Sequence, residues 1–226
     1  KLYRDASIAR NIPQSHVEKM ARISTAAFEA WTLARKKKDF SVFAPYLEKL
    51  VALKRREAAY IDSSRHPYEV LCDLYEEGIT LSQLDSVFSS LKVGLSSLIT
   101  DITHTTRYKK QKNIFSKKLF PSDIQQRIAR EVSLLILGKT GRTYVGESIH
   151  PFMTRISYDD MRMTTTVRES EPMFAFGSVA HESGHALYEL QIDPALRGSV
   201  LCTGTSMSLH ESQSRLWENQ ICQSST

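Results

Sequence analysis

Residues 172–190 read PMFAFGSVAHESGHALYEL, and within them stands His181-Glu182-Ser183-Gly184-His185. Pro172 suits a first helical turn, where the missing N–H has no partner to lose. The pattern stays helical until Asp193-Pro194 breaks it. Successive helical residues turn by about 100°, so positions four apart lie about 40° off alignment and one turn up. Both imidazoles therefore reach a single ion, with Glu182 beside them to handle the proton of a water. In a chain with 7 histidines, an HExxH arises by chance about 0.014 times. Two unrelated surface histidines on an amphipathic helix is accordingly the weaker reading. Gly184 in mid-helix costs roughly 1 kcal/mol against alanine, which points to something packing closely there.

A catalytic zinc needs a third protein ligand and an open position. Downstream, Ser208-Leu209-His210-Glu211-Ser212-Gln213-Ser214-Arg215-Leu216-Trp217-Glu218-Asn219 is again helical in pattern, with Leu209, Leu216 and Trp217 offering an apolar side. Glu211 follows His185 by 26 residues, room for a turn and a second helix lying across the first. His210, Glu211 and Glu218 are the candidates for the third ligand. Spacing alone does not choose between them.

Working outward, residues 138–170 carry turn glycines, few good helix formers, and β-branched or aromatic residues between polar ones. They predict short strands at about 143–147, 150–157 and 161–167. Gly138-Lys139-Thr140-Gly141 is no phosphate loop, because it lacks the upstream glycine and a buried strand before it. Ahead of 138 the period is helical. A capping box at Ser15-His16-Val17-Glu18 precedes Met20, Ile23, Ala27, Phe28 and Trp31. Further helices carry Phe43 to Val51 and, after Pro67, Val70 to Tyr75, with Gly78 as a stop. Boxes at Thr80-Leu81-Ser82-Gln83 and Ser122-Asp123-Ile124-Gln125 open two more. The expected fold is mainly α: a helical lobe over 1–138, then a small β-sheet edge beside a two-helix HExxH metal site over 139–226. Both are parts of one truncated catalytic domain.

Composition removes several classes. Glycine and proline are scarce at 9 and 7 residues, which excludes collagen, low-complexity linkers and a turn-rich β-sandwich. A 41% hydrophobic and 24% charged chain is not disordered. The longest strongly apolar run, Leu134–Leu137, falls far short of the ~20 residues needed to cross a bilayer, so no membrane partner is expected. Three cysteines, Cys72, Cys202 and Cys222, form no CxxC and fit a reducing compartment, the cytoplasm. The net charge of +5 sits in runs at Arg35–Lys38, Lys54–Arg56 and Lys109, Lys110, Lys112, Lys117 and Lys118. No aromatic interleaves them as a base-stacking platform requires, so they read as solvated helix ends rather than a nucleic-acid surface.

His181-Glu182-Ser183-Gly184-His185-Ala186-Leu187-Tyr188-Glu189, with the later His210-Glu211-Ser212-Gln213, closely resembles the carboxypeptidase Taq family of metal-dependent carboxypeptidases. His150-Pro151-Phe152 and Asp160-Met161-Arg162-Met163-Thr164, which fits a DxRxT pattern, resemble it too. The stretches around Trp31, Asp39-Phe40 and Tyr75–Gly78 are compatible. The resemblance implies His181, His185 and Glu211 as metal ligands and Glu182 as general base and acid. It implies a mostly helical fold with a small sheet beside the metal cleft, assembled as a homodimer. The implied activity is release of single residues from the C-termini of peptide substrates, broad in specificity and poor next to proline. Zinc (Zn2+) is the default cofactor, with Co2+ and other divalent ions also used.

Two further family motifs, IRxxAD and GxxQDxHW, are absent, and the chain's two tryptophans are Trp31 and Trp217. The start without methionine or signal segment and the stop after a helical pattern suggest a fragment. Such a fragment is expected to be catalytically weak or inactive and to expose apolar helix faces.

Other residues are weighed within this scheme. Exopeptidase action needs a clamp for the substrate carboxylate, and Arg162 is the candidate, its competing role being an ion pair with Asp160. His150 is a second candidate for substrate contact. Asp160 and His210 are candidates to orient a ligating imidazole from behind. Glu189, one turn past His185, is placed to brace that imidazole but reads first as a surface glutamate. His16, His66 and His104 read as structural or solvated, and Met153, Met161 and Met163 as core filling. A Cys202 ligand would displace Glu211 and is set aside. The contrasting class is a non-catalytic basic helical module that binds an acidic partner.

Overall fold

Prolines and left-handed turns decide where the helices start and stop. The computed structural model describes residues 2–111, 115 and 118–224. Five helices come first: Leu2–Asn11 (α1), Gln14–Lys37 (α2), Ala44–Ile61 (α3), Pro67–Asp73 (α4) and Leu81–His104 (α5). Thr106–Lys110 (α6) and Ser122–Leu137 (α7) follow, then the strands Thr143–Glu147 (β1), Phe152–Ser157 (β2) and Asp160–Thr165 (β3). Pro172–Leu190 (α8) and Met207–Arg215 (α9) complete the order, and α9 continues into a π-helical turn, Leu216–Ile221. Pro67 and Pro172 open their helices, and Gly138 at φ 73° closes α7.

Of the three capping boxes, one forms. Gln83 N–H donates to Thr80 Oγ1 at 3.2 Å, and Thr80 N–H donates to Gln83 Oε1 at 2.9 Å. Ser15 and Ser122 do not cap. Pro13 and Pro121, both extended, take the cap position and start α2 and α7 upstream, which leaves each serine inside its helix.

The chain divides into two compact units, the first ending at Ser90 and the second beginning at Leu91. In the first, α2 packs on α3 through small residues, Ala27, Ala30 and Ala34 on one side and Leu53 and Ala58 on the other. Arg4 Nη2 lies 2.8 Å from Asp73 Oδ2 and ties α1 to α4. Arg35, Lys36 and Lys37 form the last turn of α2, where cations complement the helix dipole. Lys112 and Lys117 of the later basic run lie outside the described residues. None of α5 is buried, and its Val87, Phe88, Leu91, Leu95 and Leu98 are exposed.

In the second unit the sheet runs β1-β3-β2, with β1 parallel and β2 antiparallel to β3. Along β3, Met161, Met163 and Thr165 are buried and alternate with Asp160, Arg162 and Thr164. The buried set faces α8: Thr165 Oγ1 and Ser178 Oγ lie 2.6 Å apart, and Met161 and Met163 cluster with Leu137 of α7 and Ala186 of α8. In the division at Ser90, α7 falls with the strands and α8 because it packs along α8 and β1. Its buried residues, Ala129, Ser133 and Leu137, recur every four positions, so one face of α7 is committed to this unit.

Candidate metal centre

His181 and His185 project from one face of α8, with ring centroids 4.8 Å apart and edge-on. The same helix buries Val179, Ala180, Ser183 and Ala186, so its remaining faces are fixed by packing. At Gly184 a Cβ would sit 2.7 Å from both Gln213 O and Ser214 Cα. Glycine is therefore what lets α9 cross directly over α8. Gly184→Val forces the two helices apart. The expected result is about 1–3 kcal/mol of lost stability, with weaker binding of a divalent metal, read by denaturant unfolding and chelator competition.

The crossing delivers Glu211. Its Oε2 lies 3.4 Å from His181 Nε2 and 3.4 Å from His185 Nε2. One ligand atom from each of the three residues falls within 4.8 Å of the others. Bonds of ~2.0–2.2 Å in a tetrahedron separate ligand atoms by roughly 3.3–3.6 Å. Two imidazole nitrogens and a carboxylate at this separation fit a divalent cation.

The ring atoms behind the site are also partnered. His181 Nδ1 lies 2.8 Å from Glu218 Oε2, and His185 Nδ1 lies 2.6 Å from His210 Nδ1. A carboxylate behind His181 holds the proton on Nδ1 and leaves the Nε2 lone pair toward Glu211. Arg215 joins both acids, donating from Nε to Glu211 Oε1 at 2.7 Å and from Nη1 to Glu218 Oε2 at 3.0 Å. Ser214 Oγ donates to Glu211 Oε2 at 3.1 Å.

Glu182 is buried, and no hydrogen bond from a described residue reaches its carboxylate. Burial first, then the charges of Glu211 and Glu218, push it up to about 7. Burial, together with the neighbouring His210 and His181, brings His185 down to about 4, so its ring is neutral and its lone pair available. Burial alone would raise Glu211, but the hydrogen bond from Arg215 and the charge of His181 hold it below the usual carboxylate range.

The structure separates the other candidates. Glu218, one of three residues that spacing allowed as third ligand, stands behind His181. Arg162 and Asp160 lie on the face of β3 opposite the buried methionines, because side chains alternate along a strand. There they pair with each other, Arg162 Nη2 donating to Asp160 Oδ2 at 2.7 Å, and the guanidinium lies over the Tyr144 ring. Neither joins the imidazoles. His150 is exposed in the β1–β2 connection. His210 stands against His185, and Glu189 is buried rather than on the surface. A groove of about 380 Å³ beside α7 and β1, lined by Arg130, Tyr144 and Glu147 among others, contains none of the trio.

Sequence reasoning missed Arg215 and its clamp on the two acids. Its signal was present: Arg215 is four residues after Glu211 and three before Glu218, both helical-neighbour spacings.

A family model described as Carboxypeptidase Taq (M32) metallopeptidase matches residues 1–226. The chain belongs to that family. It is 38% identical over 216 residues to Carboxypeptidase 1 of Bacillus subtilis (strain 168), covering 94% of this chain and 42% of that protein. It is 34% identical over 225 residues to Thermostable carboxypeptidase 1 of Pyrococcus furiosus, covering 97% and 44%. Among solved structures, the crystal structure of BsuCP matches with TM-score 0.89 at 36% identity, covering 96% of this chain and 43% of that one. A Pyrococcus furiosus carboxypeptidase structure matches with TM-score 0.82 at 34% identity, covering 99% and 45%. The chain thus spans less than half the length of the relatives it matches.

Proposed function

We propose that this chain carries the metal centre of a metal-dependent carboxypeptidase that removes single residues from peptide C-termini with broad specificity. The observation that carries the reading is the equal 3.4 Å approach of Glu211 Oε2 to both Nε2 atoms of the HExxH pair. His181, His185 and Glu211 would hold the ion, Zn2+ by the chemistry of two imidazoles and a carboxylate, with Co2+ as a substitute. A divalent cation in such a site supplies Lewis acidity to a scissile carbonyl and makes water a better nucleophile.

This chain's own residues do the remainder. Glu182 accepts the proton of the attacking water at its carboxylate and returns it to the leaving amine, a role suited to a carboxyl raised towards neutrality. Arg215 keeps Glu211 charged and, by donating to both carboxylates, orients Glu211 and Glu218. Glu218 and His210 set the imidazole tautomers from behind. Arg215 beside the trio is already paired to two acids.

A cytoplasmic location belongs to the same reading, supported by three cysteines that are all free. No helix among the described residues is long and apolar enough to cross a membrane. Homodimeric assembly is proposed on family membership. The test is a peptide-trimming assay on the full-length protein. Single C-terminal residues should be released, the release should stop with chelator, and Zn2+ or Co2+ should restore it. Chelator-resistant release, or internal cleavage, would contradict the proposal.

A further inference from the structure

Residues 191–206 join α8 to α9, and apart from the short turn Pro194–Leu196 they form no helix or strand. A long irregular connection leaves the next helix free to shift unless something ties it down. Its outer part is tied to the β2–β3 turn at the surface. Arg197 Nη2 donates to Asp159 Oδ1 at 2.8 Å, and Gly198 N–H donates to Tyr158 Oη at 2.9 Å.

The tie nearest α9 is of a different kind, because it is buried and ionic. Glu189, in the last turn of α8, is 8% exposed, and its two oxygens take different partners. Oε1 accepts from Gly204 N–H at 3.0 Å and lies 3.1 Å from His210 Nε2 on α9 itself. Oε2 accepts from Arg155 Nη1 at 2.6 Å, and that same nitrogen donates to Cys202 O at 2.7 Å. One arginine on β2 and one glutamate on α8 thus hold both the carbonyl of residue 202 and the amide of residue 204. There is no slack at this point. A Cβ at Gly204 would meet His210 Cδ2 at 2.7 Å and Glu189 Oε1 at 3.3 Å. Two residues on, Ser206 caps α9 by accepting from Leu209 N–H, so the grip falls just ahead of the helix start. A buried ion pair adds little net stability, since desolvation offsets its attraction, but losing one partner disrupts the local geometry. What this pair supplies is position.

We propose that Arg155 and Glu189 are positioning residues, which pin residues 202–204 to the end of α8 and so fix where α9 presents Glu211. The purpose rests on the metallopeptidase reading, but the pinning of α9 does not. Neither residue belongs to the ligand trio. They act through the backbone that leads into α9.

The test uses the full-length protein and two readouts: amide hydrogen exchange without metal, and Zn2+ affinity by chelator competition. Arg155→Met and Glu189→Gln should each speed exchange across 202–215 by about tenfold or more, the effect of losing a charge-assisted hydrogen bond. Exchange in α7 and the first half of α8 should stay as in wild type. Zn2+ affinity should fall by about tenfold in both. Arg155→Lys keeps a single cationic nitrogen that can serve both acceptors and should recover part of each loss. Gly204→Ala breaks the same joint from the other side, leaves both charges in place, and should loosen 202–215 likewise. The double variant Arg155→Met/Glu189→Gln should be no worse than the more damaging single one, because the two share one joint. The positioning role is overturned if exchange across 202–215 is unchanged in both single variants. It is equally overturned if all helices of the unit loosen alike, the mark of a merely stabilising pair. If the wild type takes up no Zn2+, the metallopeptidase reading fails, and the exchange pattern alone still decides whether the pair pins α9.

Discussion

Glu182→Gln is expected to lower kcat/KM by about 10²- to 10⁴-fold while zinc stays bound, the range over which a positioned general base contributes. Glutamine fills the same space but cannot take up a proton at neutral pH. The ligand trio does not include Glu182, so affinity for the ion should change little. Steady-state kinetics of the full-length enzyme together with chelator competition separate the two effects. Near-normal turnover in this variant would remove Glu182 from the mechanism. A second signature concerns stability. Burial raises the folded-state pKa of Glu182 from its ordinary 4.5 to about 7. The ionised form is therefore disfavoured by folding. The penalty is absent below pH 4.5, grows between 4.5 and 7, and is complete above 7. In the metal-free protein the glutamine variant should be more stable than wild type by about 1–3 kcal/mol at pH 8 and equally stable at pH 4. Denaturant midpoints at the two pH values check this.

Glu211→Gln is expected to weaken zinc binding by more than about 100-fold, beyond the loss that follows removal of an outer partner. The amide keeps the volume and its carbonyl oxygen but gives up the charge, and with it the ion pair to Arg215 at 2.7 Å. Arg215 is then left to Glu218 alone, which draws that carboxylate away from His181 Nδ1. Both imidazoles lose the acceptor that faces them, and the damage exceeds one lost bond. Activity should fall in proportion to occupancy and return in part at saturating Zn2+. An unchanged affinity would mean that the two histidines bind the ion with some other partner.

Much of this arrangement is legible in residue spacing, and the exceptions have physical causes. The i, i+4 placement of His181 and His185 is enough to put both rings on one face, since only local helix geometry is involved. The strands were found within two residues of their observed limits because alternation along β3 is a local pattern as well. Mid-helix Gly184 correctly signalled a close approach, which proved to be α9. Ser15 and Ser122 misled because an upstream proline can end the extended segment first, and a cap is a contest between neighbours. The placing of Arg162 turns on a question of face. A strand's sequence shows that Arg162 and Met163 point opposite ways, but only the packing of α8 on the methionines tells which way leads to the imidazoles. Glu189 looked like a surface residue because its partners, Arg155, Gly204 and His210, come from three separate segments. Glu218 was one of three candidates for the third ligand because it is a carboxylate on the right helix; the π-helical turn begins after Arg215, and Glu218 stands behind His181.

The central claim is that His181, His185 and Glu211 share one divalent cation. Anomalous diffraction from crystals grown with zinc tests it most directly. One peak is predicted, about 2.0–2.2 Å from both Nε2 atoms and one Glu211 oxygen, with a vacant direction toward Glu182. A peak bound by other residues, or an occupied site with Glu211 turned away, would contradict the account.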